Sequence, residues 1–248
     1  MSGHSKWATI KHKKGAQDKA RGKLFAKLIR QVEVAAREGG GDIETNATLR
    51  TMYAKARDAS VPIDTIDRAV KRGTGELEGV RYEQVNYEGY APNGVAVYVE
   101  TLTDNRNRTV GEVRHVLDRH GGNLAQTGAV SHLFSTVGYV AVDRRRVDED
   151  TLMAAALEAG AQDVRTDPDA YEVLTAPGDL EAVAKALEAA GIAVESAEIS
   201  RLPATTVSLE GSKAQSMLRL MDLLEELDDV QKVYANFDIS EAEMAKAE

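Results

Sequence analysis

The chain has 248 residues, no cysteine and a formal net charge of −9. Its length exceeds that of one typical domain, so we expect two or three compact units. The lack of cysteine excludes disulfides and thiolate chemistry, and with no long apolar run the sequence predicts a cytoplasmic protein that does not enter a membrane.

The charge is divided unevenly along the chain. Residues 1–37 carry ten Lys or Arg against Asp18 and Glu33, a local charge of +8. Residues 1–79 together sum to +6, and residues 80–248 sum to −15. Because counterion release makes clustered cations effective against a charged polymer, this pattern predicts nucleic acid as the partner, contacted by the N-terminal part.

Three helices are predicted in this basic part. Residues 23–38 place apolar side chains on one face at helical spacing, and the opposite face carries a cationic row that we call the basic stripe. The basic stripe consists of Lys19, Lys23, Lys27, Arg30 and Arg37. A second helix is predicted over residues 46–59 and a third over residues 62–73, where Gly73 ends it.

From residue 82 the hydrophobic period changes to two, which indicates strands. Residues 82–90 and 95–102 flank a turn and predict a β-hairpin, followed by a helix over residues 106–120 and a short strand over residues 130–134. Strand, helix, strand, strand, helix and strand then follow in a ferredoxin-like order. Their predicted ranges are 138–143, 150–159, 163–166, 171–176, 180–190 and 192–199.

The last predicted elements are a strand over residues 205–209, a helix over 212–227 and a strand over 230–235. They complement the elements at residues 82–134 into a second split βαβ arrangement, so the unit between them is predicted to be an insertion. The fold class is therefore α+β with three domains. These are a basic helical domain at 1–79, a discontinuous α+β domain at 80–136 and 202–240, and an inserted ferredoxin-like domain at 137–201.

Six segments resemble the YebC/PmpR family of probable transcriptional regulators, in order along nearly the whole chain. They are GHSKW at 3–7, IKHKKGAQD at 10–18, AAREGG at 35–40, KRGTG at 71–75, YEGY at 87–90 and LTDNRNRT at 102–109. The resemblance implies a helical N-terminal domain, two α+β domains and DNA binding in bacterial members. Other relatives, including a mitochondrial activator of cytochrome oxidase subunit translation, work at the ribosome, so DNA and RNA both stay open as targets.

The first candidate contacts with nucleic acid lie before the first predicted helix. Lys6, Lys11, Lys13 and Lys14 suit phosphate oxygens, and Trp7 suits stacking on an unpaired base or insertion at a groove. The alternative is that Trp7 packs on the helical domain and the lysines form a solvated tail.

The basic stripe is the second candidate. A charged exposed face is ordinary for a surface helix, but one-sign clustering favours a phosphate-binding role. Glu33 is expected to lie off that face, so the stripe is predicted not to be neutralised by pairs within its helix.

The third candidate is the segment at 103–109, which opens a predicted helix capped by Thr103 or Asp104. Arg106 and Arg108 beside free helical N–H groups predict an anion site. The alternative is a polar loop whose arginines pair with acidic neighbours.

The remaining motifs do not indicate a binding or catalytic site. The glycines at 71–75 end a helix, which favours a C-cap and hinge over a phosphate loop, and Arg144–Arg146 is interpreted as a solvated turn. The spacing of His, Asp and Glu offers no catalytic or metal motif, so we expect no enzyme activity, cofactor or small-molecule substrate. The leading interpretation is a DNA-binding regulator. The alternatives are an rRNA-binding translation factor and a module that docks an acidic protein.

Overall fold

The computed structural model describes residues 18–167 and 170–240, with side chains from residue 22 onward. Three helices come first: α1 (Asp18–Gly39), α2 (Ala47–Asp58) and α3 (Ile63–Thr74). Their apolar faces bury one cluster, in which Val32, Leu49 and Ile66 are fully enclosed. Helical spacing of apolar residues thus produced the three predicted helices.

The ends of these helices have local causes. Asn46 caps α2, because its side-chain oxygen accepts the N–H of Leu49 at 3.0 Å. Gly75, at a left-handed φ of +84°, follows the end of α3. The predicted end at Gly73 is wrong: Gly73 lies inside the last turn of α3, packed so closely on α1 that a Cβ there would collide with the main-chain oxygen of Glu33.

The next region is built on a β-hairpin, as predicted. Strands β1 (Glu83–Tyr90) and β2 (Ala96–Thr103) pair antiparallel, with Tyr90 opposite Ala96, and α4 (Arg106–Arg119) and β3 (Asn123–Leu124) follow. The chain returns to this region with β8 (Val207–Leu209), α7 (Gly211–Glu225), β9 (Val230–Ala235) and β10 (Phe237–Ile239). One sheet has the order β3-β1-β2-β9, and α4 and α7 pack against it around Leu117 and Leu220.

Two predictions for this region are wrong in detail. Residues 131–133 form a 3₁₀ turn instead of a strand, because the carboxylate of Glu88 accepts the N–H groups of Gly128, Val130 and Ser131. The strand predicted at residues 205–209 exists as the shorter β8, but it pairs in parallel with β10 as a separate two-stranded sheet.

The inserted unit contains β4 (Phe134–Asp143), α5 (Glu149–Glu158), β5 (Asp163–Thr166), β6 (Ala170–Thr175), α6 (Leu180–Ala189) and β7 (Val194–Pro203). Its sheet is antiparallel with the order β5-β6-β4-β7, which is the ferredoxin-like topology predicted from the sequence. Leu152 and Leu187 bring both helices onto the same face of the sheet.

The α+β class is therefore confirmed. Residues 132–206 form one compact unit, and the described residues on either side of them form another. The finer boundaries of three domains remain a prediction. Within the described residues, no helix is long and apolar enough to cross a membrane.

Candidate nucleic-acid interface

The first candidate segment cannot be placed from the structure. Lys6, Trp7, Lys11, Lys13 and Lys14 lie outside the described residues. Lys19 belongs to α1, but its side chain is also outside the described part of the chain.

The structure places three members of the basic stripe against the carboxyl end of α7. The Nζ atom of Lys23 donates to the carbonyl of Glu226 at 2.9 Å, and that of Lys27 donates to the carbonyl of Glu225 at 2.7 Å. Carbonyls at the end of a helix lack helical partners and carry partial negative charge, so cations bind there favourably. These cations therefore already have protein acceptors.

Arg30 continues this contact into the turn after α7. Its Nη1 donates to the carbonyl of Asp228 at 2.5 Å and lies 3.0 Å from Oδ1 of Asp229, while its guanidinium lies 5.4 Å from the centre of the Tyr82 ring. Asp229 is 1% exposed. Arg30 thus joins the helical region to a buried carboxylate that follows α7.

The same carboxylate organises the start of α4. Oδ2 of Asp229 accepts Nη2 of Arg108 at 2.6 Å, and the hydroxyls of Thr109 at 2.7 Å and Thr103 at 3.1 Å. Burial alone would raise the pKa of Asp229, but the hydrogen bonds from Arg108, Thr109 and Thr103 outweigh it and hold the pKa below its ordinary value. The carboxylate is therefore ionised at neutral pH and accepts donors from α1, α4 and the end of β2.

The last described member of the stripe, Arg37, has a partner on its own helix. Its Nη2 lies 3.1 Å from Oε1 of Glu33, and Oε2 of Glu33 lies 2.8 Å from Nε of Arg72 on α3. The expectation that Glu33 lies away from the stripe and leaves it unneutralised is wrong. Glu33 is buried between α1 and α3, where two arginines supply its countercharge.

The start of α4 differs from its predicted geometry. The N-cap is Asn105, whose side-chain oxygen accepts the N–H of Arg108 at 3.1 Å, instead of Thr103 or Asp104. Arg106 pairs with Glu83 at 2.6 Å in an exposed position. Arg108 pairs with Asp229 and with Asp104, and these bonds raise its pKa. Both arginines therefore have acidic partners, as the alternative expected, but they open a helix instead of lying in a loop, and their role in nucleic-acid binding stays a prediction.

The turn at Arg144–Arg146 is also organised by a carboxylate. Asp143 accepts Nε and Nη2 of Arg145 at 3.0 and 2.8 Å and the main-chain N–H of the same residue at 2.9 Å. These bonds, with the nearby charge of Arg146, lower the pKa of Asp143 to about 2. Arg145 and Arg146 are 83% and 63% exposed, in agreement with a solvated turn.

The structure reveals one cationic face that is not among the predicted sites. Arg50, Tyr53 and Arg57 line a shallow hollow on α2, with Ile43, Ala54 and Asp58. Their spacing of three and four residues places them on one side of the helix, a pattern that was readable from the sequence. The basic stripe of α1 has more cations and therefore gives a stronger charge pattern in the sequence than α2 does.

No group of three or more His, Asp or Glu side chains within residues 18–167 and 170–240 is arranged to hold a metal ion.

Comparison with known proteins decides the family. A model of the TACO1/YebC N-terminal domain matches residues 5–76, and a model of the TACO1/YebC second and third domain matches residues 82–237. The chain belongs to the TACO1/YebC family. The resemblance seen in the sequence is thus confirmed over nearly its full length.

Close relatives of this TACO1/YebC chain share its full length. A protein of Rubrobacter xylanophilus is 56% identical over 247 residues and 99% of both chains. Another, from Acidithiobacillus ferrooxidans, is 54% identical over 248 residues, covering 100% of this chain and 99% of the relative. Each is named a probable transcriptional regulatory protein. The crystal structure of the conserved hypothetical protein Aq1575 from Aquifex aeolicus is 49% identical, with a TM-score of 0.82 over 90% of this chain and 93% of that one.

Proposed function

We propose that this protein is a DNA-binding transcriptional regulatory protein that grips phosphate through its basic N-terminal segment. The observation that carries the proposal is the charge of +8 on residues 1–37 of a chain whose total is −9. The names of the relatives support a regulatory role. The acidic remainder is repelled by phosphate, which directs the contact to the basic end.

Two groups of cations have different parts in this proposal. Lys6, Lys11, Lys13, Lys14 and Lys19 supply phosphate contacts by counterion release, and Trp7 adds stacking on a base or insertion at a groove. Each member of the second group already donates to a protein acceptor. Its members are Lys23, Lys27, Arg30, Arg37, Arg106 and Arg108.

These existing bonds have an energetic consequence. A cation whose charge is partly satisfied by a protein carbonyl or carboxylate gains less from a phosphate than a solvated cation does, so its net contribution to nucleic-acid affinity is smaller. We therefore expect substitutions in the first group to weaken binding more than equal substitutions in the second group.

Binding of the full-length protein to a labelled 20-base-pair DNA duplex tests the proposal. The variant Lys13→Glu/Lys14→Glu is compared with Lys213→Glu/Arg219→Glu, which changes the charge equally at two exposed positions of α7. We expect the first variant to lose at least tenfold in affinity and the second to lose much less. Equal losses would mean that only the overall charge matters, and would contradict a dedicated N-terminal grip.

The identity of the nucleic acid needs a separate experiment. Crosslinking in cells, followed by sequencing of the bound nucleic acid, should recover promoter fragments if the protein regulates transcription. Recovery of ribosomal RNA instead would favour the alternative of a translation factor.

A further inference from the structure

We propose that the exposed face of α2 receives an unpaired nucleotide of the bound nucleic acid, an inference that rests on the proposed function. The face is a shallow, open hollow of about 360 Å³. It is lined by Ile43, Arg50, Tyr53, Ala54, Arg57 and Asp58. We call it the α2 hollow.

Arg50 is held in place at the α2 hollow by the loop before the helix. Its Nε donates to the carbonyl of Ile43 at 3.0 Å and its Nη2 donates to the carbonyl of Glu44 at 3.1 Å. An arginine has five N–H donors, and these two bonds occupy two of them. The guanidinium is therefore oriented before a ligand arrives, which lowers the entropic cost of binding a phosphate.

Tyr53 is fixed between the two arginines. Its ring is half-buried against the hydrophobic cluster of the three helices, and its hydroxyl donates to Oδ1 of Asp67 on α3 at 3.0 Å. Burial and this bond raise the pKa of Tyr53, so the ring stays neutral at physiological pH. A neutral aromatic ring held at the wall of a hollow suits contact with a base.

Arg57 lies one turn beyond Tyr53, so Arg50, Tyr53 and Arg57 occupy successive turns on the same face of the helix. At 1.5 Å per residue, the two arginines are about 10 Å apart along the axis of α2. Among the residues that line the α2 hollow, two arginines stand against one carboxylate, Asp58, while the nearby carboxylate of Asp67 accepts the Tyr53 hydroxyl. Guanidinium groups flanking an aromatic ring are the combination that binds phosphate and base together.

The α2 hollow favours a single-stranded region over a duplex. Bases inside a duplex are stacked on each other, so a surface aromatic ring reaches a base only where the strand is unpaired. The α2 hollow therefore adds a preference for unpaired nucleic acid to the sequence-independent attraction of the N-terminal lysines.

Fluorescence anisotropy of the full-length protein with a labelled 20-nucleotide single strand, as DNA and as RNA, tests this inference. The variant Arg50→Gln/Arg57→Gln is compared with Arg114→Gln/Arg219→Gln, which removes the same charge from exposed positions of α4 and α7. We expect the first variant to bind the single strand at least tenfold more weakly than wild type, and the control to change less than twofold.

A third variant separates stacking from charge. Tyr53→Leu keeps an apolar side chain but has no aromatic ring, and we expect it to weaken single-strand binding about fivefold while duplex binding stays within twofold. Thermal unfolding of each variant establishes that the three helices remain folded, and Tyr53→Phe, which keeps the ring, should restore single-strand affinity.

The outcomes separate the two proposals. If wild type binds nucleic acid but Arg50→Gln/Arg57→Gln matches its control, the α2 hollow is not a binding site and the proposed function stands. If wild type binds neither duplex nor single strand in dilute buffer, both the inference and the proposed function are overturned.

Discussion

Arg30 and Asp229 are 199 positions apart in the sequence, yet Nη1 of Arg30 lies 3.0 Å from Oδ1 of Asp229. The arginine lies on the first helix and the aspartate follows the last helix, so the pair connects elements that are far apart in the sequence. Asp229 also accepts bonds from Arg108, Thr103 and Thr109. It thus accepts hydrogen bonds from both the helical region and the start of α4.

Replacing this carboxylate should weaken the fold. Asp229→Asn keeps the size of the side chain but removes the countercharge of Arg30 and Arg108, and we expect a loss of about 2–3 kcal/mol in the free energy of unfolding. Urea denaturation measures the loss. Asp228→Asn is the matched control, because the Asp228 side chain is exposed and only its carbonyl accepts Arg30. A loss no larger than that of the control would show that the Asp229 carboxylate is dispensable.

Glu33 should matter in a similar way within the helical region. Glu33→Gln leaves Arg37 and Arg72 without their shared carboxylate, and we expect it to destabilise the protein by about 2 kcal/mol. Glu38→Gln, at an exposed position of the same helix, should change stability by less than about 0.5 kcal/mol. Chemical denaturation of the two variants distinguishes a buried ion pair from ordinary surface charge.

A Gly-to-Ala substitution should lower the stability of the protein at Gly73, which is tightly packed, and raise it at Gly111, which is not. Gly73→Ala would drive a Cβ into the main chain of Glu33, and we expect a loss of about 1–3 kcal/mol. Gly111→Ala on α4 meets no atom within 4 Å, so it should stabilise the protein by about 0.5–1 kcal/mol through helix propensity. Thermal unfolding should therefore show the melting temperatures moving in opposite directions. A stable Gly73→Ala variant would contradict the packing of α3 on α1.

Stability should fall in acid because two buried carboxylates are stabilised in their ionised form. Burial would raise the pKa of Glu88, but the N–H groups of Gly128, Val130 and Ser131 outweigh it and lower the pKa below its ordinary value of 4.5. The pKa of Asp229 is likewise lowered from 3.8. A lowered folded-state pKa contributes stability that is complete above the unfolded value and is lost as pH falls through the folded value.

We therefore expect the contribution of Glu88 and Asp229 to the free energy of unfolding to be constant above about pH 5 and to decrease below about pH 4. Glu88→Gln should make this decrease shallower, whereas Glu78→Gln, at an exposed site, should leave it unchanged. Urea denaturation at a series of pH values gives the comparison. A Glu88→Gln profile parallel to wild type would show that Glu88 does not drive the acid response.

Much of the fold could be predicted from the sequence because local periodicity encodes it. The apolar spacing of α1 and the hairpin around Pro92–Gly94 depend on residues close in the chain. The short strands β8 and β10 could not be paired in advance, because three residues carry too little pattern to choose a partner.

The partners of the basic stripe could not be predicted from the sequence, for a different reason. Lys23 and Lys27 bind main-chain carbonyls 203 and 198 positions away, and a carbonyl acceptor leaves no signature in the sequence. A cationic helix face consequently looks the same whether it meets solvent, nucleic acid or the end of another helix. The α2 hollow, by contrast, has a local spacing that the sequence does contain.

The salt dependence of DNA affinity tests the central claim most directly. If about six phosphates are contacted, a plot of log K against log salt for duplex DNA should have a slope of about −5, and Lys13→Glu/Lys14→Glu should reduce its magnitude by about 2 or more. A wild-type protein that fails to bind even at low salt, or a slope that Lys13→Glu/Lys14→Glu leaves unchanged, would contradict a phosphate grip by the N-terminal segment.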